Sequence, residues 1–190
     1  MPTCWTACRS KFLNRPPVAE CPPVAFLPYC APAQTTRKQT NLATLTFEVF
    51  SRFQSATDAN KLLYTPIADQ LTYNHTRLYT IECEGDTEAA AAYMRSVLVD
   101  SISQKVQEDG TPALSGELFS ISYGIKKGAL DLEKEAILTN YRGRKGLPFD
   151  ITALTITQKI YVFGQGDAAA LSARFCKDVC NPAIHTWKIN

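Results

Sequence analysis

Cys176 and Cys180 lie four residues apart, so on a helix they would share one face and could offer two thiolates to a metal. His185 would add a third ligand and leave a tetrahedral set one short. The pair therefore reads as small apolar packing residues, and so does Cys4-x3-Cys8 near the start of the chain. Gly164-Gln-Gly166 ahead of a helix would present free backbone N–H groups to an anion. Asp167 at that helix start would repel a phosphate, so a plain helix cap is the better reading. The run Lys159-Ile-Tyr161-Val-Phe163 is similar to one aromatic strand motif of an RNA-recognition fold. The second aromatic motif is missing, since Trp187 stands alone in the strand that remains. His75 and His185, the chain's histidines, belong to no nucleophile–base–orienter set, so no catalytic residue, metal or cofactor is expected. The basic loop Arg142-Gly-Arg144-Lys145 reads as a solvated turn that could equally touch an anionic partner or phosphate.

The elements that position these residues follow from periodicity. Leu45-Thr-Phe47-Glu-Val49-Phe-Ser-Arg-Phe53 alternates and predicts a strand, and Ser55 or Thr57 can cap a helix carrying Ala59, Leu62 and Leu63 up to Pro66. Residues 77–83 form a second strand. Gly85-Asp86 then starts a long helix through Ala90, Tyr93, Met94, Val97, Leu98 and Ile102, which fades by Glu108-Asp109-Gly110. Residues 111–117 read as a linker. Residues 119–125 form a strand, and a helix over 131–140 places Leu132, Ala136 and Ile137 on one face. Strands over 151–156 and 159–163 are expected to meet at a tight Thr157-Gln158 connection. A helix through Leu171, Phe175 and Val179 ends at Asn181-Pro182, ahead of a last strand over 184–189.

The unit Ile81-Glu-Cys83-Glu-Gly85-Asp86 is echoed by Val162-Phe-Gly164-Gln-Gly166-Asp167, at an offset of 81 residues from Asp86 to Asp167. That period predicts an α+β chain of tandem ferredoxin-like βαββαβ modules over residues 42–114 and 118–190. The first copy would be the degenerate one. Modules this small are marginal alone, and pairing their antiparallel sheets as a pseudo-dimer, with helices on the outer faces, would remedy that.

Residues 1–41 carry Arg9, Lys11, Arg15, Arg37 and Lys38 against Glu20 alone, and they hold seven of the chain's 11 prolines. This composition predicts a disordered or transit-like leader, and hence a cytoplasmic or organellar (plastid or mitochondrial) location. With the net charge at +2, the remainder is slightly acidic and does not advertise nucleic-acid binding. No apolar run approaches the ~20 residues of a membrane span. The seven cysteines form no even framework, which argues against a secreted disulfide scaffold.

Lys127-Gly128-Ala-Leu130-Asp131, the following Glu133, Glu135 and Ala136, and Cys176-Lys-Asp-Val-Cys180-Asn181-Pro182-Ala-Ile184 carry a family likeness. On them, residues 119–190 resemble the PurS subunit of phosphoribosylformylglycinamidine synthase, the purine-pathway amidotransferase. Leu132-Glu133-Lys134 replaces that family's usual proline-glutamate-glycine after the aspartate. Residues 42–110 look like a diverged second copy without the lysine-glycine-aspartate turn. The resemblance implies a non-catalytic subunit that bridges the synthetase and glutaminase subunits and supports ammonia transfer between them. It also implies partner contacts at the first-strand turn, Lys126, Lys127, Gly128 and Asp131, and at the loop Arg142, Arg144 and Lys145. A fused tandem would supply the dimer in one chain and still allow a homo-oligomer. An ACT-like amino-acid sensor has the same βαββαβ order and would hold its ligand near Gly128 and Asp131. A structural subunit of an organellar assembly is the third reading.

Overall fold

The computed structural model describes residues 42–53, 57–67 and 70–190, all within one compact unit. The expected leader, with Cys4 and Cys8, and the expected cap Ser55 lie outside the described residues.

Seven strands and three helices form an α+β unit. In chain order they are β1 (Leu42–Ser51), β2 (Thr57–Asp58), β3 (Thr72–Gly85), α1 (Thr87–Leu98), β4 (Gln104–Glu108), β5 (Phe119–Ile125), α2 (Leu132–Arg142), β6 (Phe149–Phe163), α3 (Ala168–Val179) and β7 (His185–Ile189). A four-residue 3-10 turn, Ala59–Leu62, capped by Asp58, stands where a helix was expected. The strands form one sheet in the order β4-β1-β3-β6-β5-β7, with β2 on β3, and every pairing is antiparallel.

Three expectations are corrected here. The two strands over 151–156 and 159–163 are the single 15-residue β6, which runs straight through Thr157-Gln158. The long helix stops at Leu98, because Asp100 turns the chain by accepting from Ile102 N at 3.0 Å and Ser103 Oγ at 2.6 Å; β4 follows directly. The helices do not cover the outer faces of two sheets. Residues 154, 156, 160 and 162 of β6 share one face by the two-residue period. Leu154 and Ile156 pack with Met94 of α1 and Ile137 of α2, while Ile160 and Val162 pack with Phe175 of α3. All three helices therefore lie on the same face of a single sheet.

The two halves of the sheet are related by the 81-residue offset. Arg77 pairs directly with Gln158, its own counterpart, so a local two-fold passes between β3 and β6 at that pair. Thr72 pairs with Phe163 and Glu82 with Ala153, which are each other's counterparts. The hydrogen bonds repeat as well. Asp86 accepts from the N–H groups of Glu88 and Ala89, and Asp167 accepts from those of Ala169 and Ala170. After the helix, Gln104 N donates to Asp100 O at 2.8 Å, and His185 N donates to Asn181 O at 2.8 Å. Gly85 is required at its turn: its φ is +101°, and a Cβ there would sit 2.6 Å from Pro148 O. Replacing either capping aspartate by alanine should cost about 1 kcal/mol, by leaving two helix N–H groups without an acceptor. The two losses should agree within error in urea melts of Asp86→Ala and Asp167→Ala.

The first crossovers are exchanged between the halves. Ala59, Leu63 and Leu71 pack into the second half's core with Phe119, Ile121 and Phe175. Ile137 of α2 packs into the first half's core with Phe47, Val49 and Tyr79. Leu132 and Ala136, expected on the buried face, are exposed. The face that α2 buries runs Glu133, Ile137, Tyr141 at i, i+4 spacing. Tyr141 also stacks near Phe149 and meets Tyr93 of α1 edge-on, with ring centroids 6.2 Å apart.

The opposite face carries no helix. There Glu48, 2% exposed, accepts from Thr76 Oγ1 and Tyr161 OH at 2.6 Å each. It also accepts from Ala113 N at 3.1 Å, in the linker between β4 and β5, and pairs with Lys159 Nζ at 3.7 Å. The Lys159 ammonium sits 4.5 Å from the centre of the Tyr161 ring. Burial first, then the Glu48 carboxylate, push the Tyr161 hydroxyl far above its ordinary range.

Candidate functional site

Two of the clefts on the helix-bearing side flank the Arg77–Gln158 pair, one on each side. The larger, about 530 Å³, lies between the ends of β1 and β3, the C-terminal turn of α1, and α2. The smaller, about 350 Å³, lies between β5, the N-terminal end of α2 and β7. Val49, Phe50 and Ser51 line the first, and Tyr123, Gly124 and Ile125 line the second at matching register positions. Gln104 and His185 match in the same way. The clefts are thus local two-fold counterparts, and Glu133 borders both.

Their chemistry differs. In the larger cleft, Arg77 Nη1 pairs with Glu133 Oε1 at 3.3 Å, and Tyr79 OH donates to the same oxygen at 2.6 Å. Desolvation and the Glu133 carboxylate push the Tyr79 hydroxyl far above its ordinary range. His75 lies beside them with its edge exposed to solvent, its pKa lowered chiefly by the desolvation of the cleft and then by the Arg77 charge. Gln158 and Glu133 oppose that shift. In the smaller cleft the counterparts of His75 and Arg77 are Ile156 and Gln158, so the cation is absent from those positions.

His75 gives a pH prediction. Its folded pKa lies below the ordinary value of 6.5, so the unfolded chain takes up the proton first as pH falls. The stability contributed by neutral His75 should be present above about pH 6.5 and decline as pH falls through that value towards the folded pKa. Tm measured from pH 8 to 5 should fall less steeply in His75→Gln than in the parent chain.

The residues expected to meet a partner are placed at opposite ends of α2, an 11-residue helix about 16 Å long. At the first end, Lys126 N donates to Ile184 O and Lys126 Nζ donates to Pro182 O at 2.6 Å, so this lysine ties the turn to the Asn181-Pro182 corner. Lys127 is exposed, and Gly128 has φ +96° with open space around it. Asp131 caps α2 by accepting from Lys134 N at 3.0 Å and borders the smaller cleft. Around this end, Ile125, Leu130, Leu132, Ile184 and Trp187 are all exposed, forming an apolar rim beside two lysines. At the other end, Arg142 pairs loosely with Glu135 at 3.8 Å, while Arg144 and Lys145 are exposed.

Sequence reasoning missed the Arg77–Glu133–Tyr79 group. A signal was present: His75 and Arg77 fall on the same strand parity as Tyr73, Tyr79 and Ile81, the buried face of β3. Among the described residues, no group of three His, Cys, Asp or Glu side chains could hold a metal ion. Cys176 and Cys180 are buried free thiols; desolvation and the neighbouring Cys176 push Cys180 up to about 11. His185 Nδ1 accepts from Asn181 N at 3.2 Å. No described helix is long and apolar enough to cross a membrane.

The chain matches no family model, no curated protein and no solved structure.

Proposed function

We propose that this chain is a PurS-like accessory subunit of phosphoribosylformylglycinamidine synthase in purine biosynthesis, a fused pair that bridges the synthetase and glutaminase subunits. In this reading each half is a ferredoxin-like module whose missing second strand is replaced by the central strand of its twin. The observation that carries the reading is the repeated helix–strand corner. Asn181-Pro182, part of the family likeness, has its geometric counterpart at Asp100-Ser101, with the same backbone and side-chain hydrogen bonds. A duplicated PurS unit requires that correspondence, whereas a chance likeness confined to residues 119–190 does not. The apolar rim with Lys126 and Lys127 is the favoured contact for one partner, and Arg142, Arg144 and Lys145 for the other. The leader's transit role belongs to the same proposal. The test is co-expression with the synthetase and glutaminase subunits, followed by size-exclusion chromatography. A glutamine-stabilised complex containing all three chains supports the reading. Elution of this chain alone, with the other two subunits folded and present, overturns it.

A further inference from the structure

We infer that the larger cleft is a binding site for a free α-amino acid, held by Arg77 and Glu133 through its two charged groups. The two side chains are of opposite charge, meet at 3.3 Å, and remain 49% and 34% exposed within the cleft. Each keeps unused valence. The guanidinium donates to Glu133 Oε1 at 3.3 Å and also engages the Tyr79 hydroxyl, which leaves further N–H groups on it, and no hydrogen bond to Glu133 Oε2 is made among the described residues. Tyr79 OH fixes the carboxylate by donating to the oxygen that Arg77 already engages, which leaves the acceptor capacity of Oε2 for a ligand.

The charge pattern selects the ligand class. A phosphate would gain Arg77 and be repelled by Glu133 at the same distance. A simple amine or a simple carboxylate would satisfy one partner and leave the other as it was. A zwitterion satisfies both, with its carboxylate on Arg77 and its ammonium on Glu133, through charge-assisted hydrogen bonds. Beyond the pair the lining mixes the polar groups of Ser51, His75, Ser103 and Gln104 with Val97 and Ile137, so a side chain with a polar end is preferred. The volume of about 530 Å³ lies within the range of small-molecule sites.

The two-fold sharpens the case. The counterpart cleft borders Glu133 too, but Gln158 and Ile156 stand there in place of Arg77 and His75, so it lacks the carboxylate-binding half. One site per chain follows. This position differs from the first strand–helix turn at Gly128 and Asp131, where Gly128 has nothing around it.

Calorimetric titration of the full chain with each proteinogenic L-α-amino acid tests the inference. At least one with a polar side chain should bind one-to-one. Its analogues lacking the carboxylate or the ammonium, such as 1-aminopropan-2-ol and 3-hydroxybutanoate for threonine, should bind at least tenfold more weakly. Arg77→Gln installs the residue the fold already carries at position 158, and Glu133→Gln keeps an acceptor for Tyr79; each should weaken binding at least tenfold with Tm close to the parent's. No binding by any amino acid at millimolar concentration, a stoichiometry of two, or undiminished affinity in either variant would overturn the inference. The bridging role stands or falls separately.

Discussion

Glu48→Ala is expected to lower the unfolding free energy by about 3–5 kcal/mol, because it strips one partner from a buried charge pair. The Glu48 and Lys159 side chains are 3% and 12% exposed, so the remaining ammonium cannot recover its hydration in place. Three further donors lose their acceptor: Thr76 Oγ1, Tyr161 OH and Ala113 N. The hydroxyls belong to β3 and β6, and the amide belongs to the linker that joins the halves. The carboxylate therefore ties together the first half, the second half and the connection between them. Glu48→Gln should fall in between, since it keeps one acceptor oxygen for the hydroxyls, loses the charge opposite Lys159 and presents an NH2 group near Ala113 N. Urea denaturation followed by far-UV circular dichroism measures all three proteins. A loss under 1 kcal/mol for Glu48→Ala would mean that the pair is far better hydrated than its burial indicates.

Phe175→Ala is expected to cost about 3–5 kcal/mol, in the range for deleting a fully buried aromatic ring. Phe175 is 0% exposed and lies edge-on to Phe119, with ring centroids 5.6 Å apart. The particular consequence lies elsewhere in the chain. Ala59, Leu63 and Leu71 from the first half share this core, and Tyr64 N donates to Asp178 Oδ2 of α3 at 3.1 Å. The exchanged crossover should therefore loosen with the helix it packs on. Hydrogen exchange in Phe175→Ala should accelerate at residues 59–64 together with α3, and much less in α1. Acceleration confined to the second half would contradict the exchange of crossovers.

The capped helices were the most legible part of the chain. Gly85-Asp86 and Gly166-Asp167 signal helix starts by composition alone, and the structure places the caps there. The single β6 was legible in principle and misread. Leu154, Ile156, Ile160 and Val162 keep one parity through Thr157-Gln158, and neither residue is a turn former, so nothing local demanded a hairpin. The strand β4 reads Gln-Lys-Val-Gln-Glu, polar because it is an edge, and so it merged with the helix before it. The buried face of α2 was illegible for another reason. It meets the opposite half, and its Glu133-Ile137-Tyr141 stripe mixes charged, apolar and aromatic groups to suit that surface. The cleft shares this difficulty. Arg77 and Glu133 are 56 residues apart, and only the exchange of crossovers brings them together. Arg77 on the buried parity of β3 announced that some acid must approach it, without saying which.

The most direct test of the bridging role is the ratio of glutamine-dependent to ammonia-dependent amidation by the purified synthetase and glutaminase subunits, measured with and without this chain. The account predicts that adding the chain raises glutamine-dependent turnover at least tenfold and leaves ammonia-dependent turnover unchanged. Equal glutamine-dependent turnover with and without the chain, at saturating concentrations of all subunits, would contradict it.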